Sequence, residues 1–72
     1  MTEQELLKLF KNPTYNRNKQ SENLWCRYED FTGMIIHNFN NYSTATLIAT
    51  KEQESYNFII PMTEFEKIKN QK

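Results

Sequence analysis

Residues 24–31 read LWCRYEDF, and the period assigned to this octet decides the architecture around it. With a period of two, Leu24, Cys26 and Tyr28 fall on one face of a strand. Trp25, Arg27, Glu29 and Phe31 fall on the other. Both faces then carry large apolar side chains, which is unusual for a strand with one side in water.

Working outward toward the C-terminus, Thr32-Gly33 offers a turn, because glycine accepts the positive φ that other residues avoid. MIIHNF (34–39) follows as a second strand, and STATLIAT (43–50), rich in β-branched residues, as a third. The polar KEQE reverses the chain into SYNFII (55–60), which Pro61 ends. Antiparallel strands over 24–61 joined by short loops predict a four-stranded meander. In the tail, Thr63 and Glu66 have capping-box spacing, with Phe65 and Ile68 at helical spacing, so a short helix over 63–70 is expected. A fifth strand through FEKIK is the rival.

Toward the N-terminus, Thr2 and Glu5 form a capping-box pattern, followed by the apolar stripe Leu6, Leu9 and Phe10. A helix over 3–11 is expected, stopped by Asn12-Pro13. NPTYNRNKQSEN (12–23) has no apolar period and reads as a long loop. The whole is a single small α+β domain over 1–72: N-terminal helix, antiparallel meander as an open sheet or small barrel, and short C-terminal helix.

Composition narrows the function classes. Nine basic residues balance nine acidic ones, so the surplus of positive charge that general nucleic-acid affinity requires is missing. Cys26 is the only cysteine, which excludes an internal disulfide and, with no secretory segment in view, reads as a cytoplasmic setting. No apolar run approaches the ~20 residues of a membrane span. Abundant Asn, Lys, Ile and Tyr beside a single Gly are the composition of an AT-rich bacterial or phage genome.

Catalytic and ligand chemistry finds little footing. Cys26 and His37 are the only pair that could make a nucleophile and base, and no local signature surrounds either. One Cys and one His cannot supply a four-ligand zinc set. Glu29 and Asp30, adjacent on a strand, point to opposite faces, and one glycine cannot make a phosphate-binding loop. The expectation is a non-enzymatic protein without cofactor or metal.

Binding remains. Lys8, Lys11, Arg17 and Lys19 occur with no acid between them and flank Tyr15, a set that could serve single-stranded nucleic acid. TGMIIHNF, then Leu47, then NFIIPMTEFEKI resembles the hydrophobic rhythm of Sm-like and SH3-like small barrels over roughly 22–70. Gly33, Ile35, Leu47, Pro61, Phe65 and Ile68 stand at matching positions. The resemblance implies a strand, a bent glycine-containing strand, two more strands and a proline-marked turn into a last strand. Asn40 stands where those families often carry an Asp, and no Tyr-Lys-His-type RNA signature lies near strand four, so no binding residues are carried over.

The favoured reading rests on the two-sided strands. Two short helices cover one sheet face, and the other must be covered by barrel closure, by the long loop or by another molecule. Trp25, Arg27, Glu29 and Phe31 are therefore the expected protein interface, since Trp and Arg often anchor such contacts. A small protein-binding module, of the kind that regulates or inhibits a partner, or a homo-oligomer, is the expected function. Nucleic-acid binding through Lys8, Lys11, Tyr15, Arg17 and Lys19 is the alternative.

Overall fold

The computed structural model describes residues 1–71; Lys72, the end of the expected domain, lies outside the described residues. Its elements run α1 (Glu3–Lys8), β1 (Thr14–Arg17), β2 (Ser21–Tyr28), β3 (Phe31–Asn38), β4 (Thr44–Lys51), β5 (Glu54–Pro61) and α2 (Met62–Lys69). The strands form one open antiparallel sheet in sequence order, with β1 and β5 as its edges. The class is α+β with two helices, and the sheet has five strands rather than four. No closure pairs β1 with β5, so the barrel form of the fold is not adopted.

The fifth strand comes from the expected loop. Thr14–Arg17 pairs with Glu22–Trp25, and the Asn18 side-chain oxygen closes the turn by accepting from the amides of Gln20 and Ser21 (2.8 and 2.9 Å). All four β1 residues are exposed, so the strand lacks the apolar alternation by which strands are read. Tyr15 and Arg17 nevertheless lie on the helix-bearing side, opposite Leu24 and Glu22.

The β2–β3 reversal also differs from expectation. Tyr28 pairs with Phe31, leaving Glu29 and Asp30 as a two-residue connection. Glu29 takes the left-handed conformation (φ 50°), and Asp30 is held by the Lys51 ammonium. Gly33 therefore lies inside β3 and not in a turn. Its lack of a side chain serves packing: a Cβ there would stand 2.6 Å from the Phe31 ring and 2.7 Å from that of Phe10. The β4–β5 reversal puts both Glu52 and Gln53 at positive φ (51° and 72°), as tight hairpins demand but without the Asn-Gly that suits them.

Both helices pack on one face. Leu6, Leu7 and Phe10 from the α1 region and Phe65 and Ile68 from α2 meet Leu24, Phe31, Ile35, Leu47 and Ile60 in a single core. Phe10 and Phe31 stack edge to face at 5.5 Å, the arrangement aromatic quadrupoles favour. Small residues, Gly33, Ala45 and Ala49, lie on this face among the large ones.

At the chain ends, α1 is shorter than 3–11. Its capping box forms as read, with Glu5 N–H donating to the Thr2 hydroxyl and Thr2 N–H to the Glu5 carboxylate, but the helix caps at Leu9. The tail is a helix, beginning at Met62 with Pro61 as its N-cap and no side-chain cap. The Thr63–Glu66 box is therefore not used. Met62 N–H donates to Ser43 C=O (3.1 Å). By strand alternation, the backbone groups of Ser55, Asn57, Ile59 and Pro61 then face away from β4, where proline's missing N–H breaks no ladder bond.

Candidate interaction surface

Among the described residues none covers the side of the sheet opposite the helices. Along the four long strands its outward positions read Ser21–Asn23–Trp25–Arg27, Thr32–Met34–Ile36–Asn38, Thr44–Thr46–Ile48–Thr50 and Ser55–Asn57–Ile59–Pro61. Trp25, Met34 and Ile48 are direct cross-strand partners and make one row over β2, β3 and β4. They are 38, 37 and 43% exposed, and Ile59 on the neighbouring row is 71% exposed. Ile36 lies on that same neighbouring row, joined to Ile59 through Thr46. The other outward residues are uncharged Ser, Thr, Asn and Pro61, except Arg27. In a chain with 25% charged residues, such depletion resembles the core of a protein interface more than ordinary wet surface.

Trp25 separates two depressions. One, of about 240 Å³, lies on the open face between Trp25, Thr32, Met34, Ile48 and Thr50. The other, of about 400 Å³, lies at the sheet edge among Lys11, Asn12, Thr14, Trp25, Arg27 and Tyr28. It exists because β1 pairs only as far as Trp25 and leaves the end of β2 without a neighbour on that side.

The four residues expected to form the interface do not stay together. Trp25 and Arg27 stand on the open face. Glu29 belongs to the hairpin connection, together with Asp30, and Phe31 is fully buried among the helices. The two turn residues start β3 with the opposite parity, which carries Phe31 to the core side. Met34, Ile48 and Ile59 were the missed members of the surface. Their alternation was visible in the sequence, but their alignment into a row depends on register.

The cationic set is also divided. Lys8 ends α1. The Lys11 ammonium lies 5.6 Å from the Tyr28 ring and the Arg17 guanidinium 5.1 Å from that of Phe39. Lys11 and Arg17 are thus at opposite ends of β1, with Lys19 in the turn beyond Arg17. Tyr15 is engaged on both its ring and its hydroxyl. Lys69 sits 4.8 Å over the ring, and the hydroxyl donates to Glu22 (2.7 Å).

Glu22 is the centre of a polar cluster that the sequence did not announce. Its carboxylate also accepts from Lys69 (3.1 Å) and meets His37 Nδ1 at 2.8 Å, while His37 Nε2 lies 2.8 Å from the Asn41 carbonyl. Both imidazole nitrogens thus face oxygen atoms. Burial pushes the Glu22 carboxyl up, but the bonds from His37, Tyr15 and Lys69 outweigh it and hold its pKa at about 2. The same contact with Glu22 raises the Lys69 ammonium. Every member is partnered within the chain, which is how a buried acid is tolerated.

Cys26 and His37 do not meet. Cys26 pairs with Gly33 and His37 with Glu22, four residues apart along the strands, or roughly 13 Å. The Cys26 thiol faces the Leu9 and Lys11 carbonyls (3.9 and 3.8 Å). Among the described residues no group of three or more His, Cys, Asp or Glu is placed to hold a metal, and no helix is long and apolar enough to cross a membrane. Comparison of the chain with protein-family models, with curated proteins and with solved structures finds no match to any of them.

Proposed function

We propose that the chain is a small non-enzymatic module of the regulator or inhibitor kind that acts through protein–protein association, with the open face of its sheet as the contact. The observation that carries this reading is the row Trp25–Met34–Ile48 on an uncovered face almost free of charge. Removing such side chains from water is favourable by roughly 25 cal/mol per Å², and no ionised group on the row opposes their desolvation. Trp25 and Arg27 remain the anchor residues of the proposed contact, and Glu29 and Phe31 are withdrawn from it.

The test is a photo-crosslinking amino acid placed at Ile48 and, as a control, at Gln53 in the remote β4–β5 hairpin, in cells that express the chain. A protein adduct at position 48 and none at position 53 is the expected result. Equal labelling, or none at either position, would remove the reading. The nucleic-acid alternative draws on Tyr15 and Arg17 lying side by side on β1 near Lys19 and Lys69. It is the weaker reading, because Tyr15, Arg17 and Lys69 are already engaged by Glu22 and Phe39. Oligonucleotide binding that falls steeply with salt and is lost in the double variant Lys11→Glu, Arg17→Glu would favour it.

A further inference from the structure

We infer that the molecule seated on the open face is a second copy of the same chain, held by an isologous contact centred on Met34; the inference rests on the binding role proposed above and names its partner. Three features of the face carry it.

The first is placement. β3 is the middle strand of five, and Met34 is the middle of the apolar row, with Trp25 on one flank and Ile48 on the other. A two-fold axis lying in the contact plane over Met34 lays this row on its own copy. With the axis along β3, Trp25 of each copy lands beside Ile48 of the other, where the depression of about 240 Å³ lies open. Ile36, on the same strand, meets its equivalent.

The second is charge. In an isologous contact each group faces the same surface, so charges on that surface would oppose one another. Here the only outward charge on the four long strands is Arg27, one row from the centre and off the axis. A partner of different surface would ordinarily be selected by complementary charge, and the face offers none beyond that arginine.

The third is area. Five strands spaced ~4.8 Å apart and ~3.4 Å per residue give four eight-residue strands and their neighbour a footprint of about 500 Å². Two such faces bury on the order of 1,000 Å², the lower bound for a specific association. Open sheets pack face to face at about 10 Å by interdigitating side chains of this size.

The experiment is sedimentation equilibrium of the purified chain from about 1 to about 100 μM. Twice the chain mass is expected, with dissociation on dilution. Met34→Glu should weaken the association by roughly 100-fold, as loss of a central anchor does, while its circular dichroism stays that of the parent. Met34→Cys should give a disulfide-linked dimer on mild oxidation, whereas Glu66→Cys, on the exposed side of α2, should not. A monomer at the highest concentration overturns the inference. So does a dimer unaffected by Met34→Glu, which would point to pairing through the β5 edge instead. A monomeric chain whose position 48 crosslinks in cells to a protein of another mass overturns the second-copy partner alone and leaves the binding role in place.

Discussion

The two faces of this sheet are built from the same strands and behave as different materials. On the helix side, Leu24, Phe31, Ile35, Leu47 and Ile60 are sealed by α1 and α2, and the buried carboxylate of Glu22 is met by Tyr15, His37 and Lys69. On the open side, Trp25, Met34, Ile48 and Ile59 stand among threonines and asparagines with nothing over them. A residue's contribution therefore follows from its face more than from its type. Burial makes one set of apolar groups the source of the fold's stability, and exposure leaves the other set free for association.

The largest test of that contrast uses two aromatic residues that simple alternation puts on the same face. Phe31→Ala should cost about 3–5 kcal/mol, because it empties a packed site. Trp25→Ala should cost under ~1 kcal/mol in the monomer. Urea midpoints at unchanged m-value measure both, and equal losses would erase the distinction between the faces.

Next in size is acid sensitivity at the Glu22 cluster. Its carboxyl is held at about 2 when folded, below its ordinary value of 4.5. Between those values the unfolded chain binds more protons, so stability rises with pH there. The contribution, at most ~3 kcal/mol, is complete above pH 4.5 and is lost as pH falls toward 2. Thermal melts across that window should show the loss, and Glu22→Gln should flatten this part of the profile. An unchanged acid slope in that variant would mean that the cluster does not hold the charge.

A smaller effect tests how tightly the helix side is packed. Gly33→Ala puts a methyl group against the rings of Phe31 and Phe10, both buried, and should cost about 1–3 kcal/mol. Ile48→Thr on the opposite face should stay within ~0.5 kcal/mol in the monomer. One change is a gain: Gln53→Gly relieves a left-handed residue in the β4–β5 turn and should stabilise by about 1 kcal/mol. Differential scanning calorimetry reads each as a shift in Tm, and a loss at Gln53→Gly would place the turn's stability in the glutamine side chain.

Alternation and capping are properties of neighbouring residues, so the chain alone determined the α+β class, the capping box of Thr2 and Glu5 and the four long strands to within a few residues, while the tail stayed open between helix and strand. The grouping of Leu24, Cys26 and Tyr28 on one strand face was legible for the same reason. Tertiary structure decided what depends on pairing. β1 exists because Glu22–Trp25 offers it a ladder, since its own four exposed residues carry no pattern. Phe31 went inward because the reversal came at Glu29-Asp30 and shifted the parity of all that followed. The row Trp25–Met34–Ile48 and the gathering of Tyr15, Glu22, His37 and Lys69 join residues far apart in sequence. Only the register between strands and the seat of α2 could bring them together.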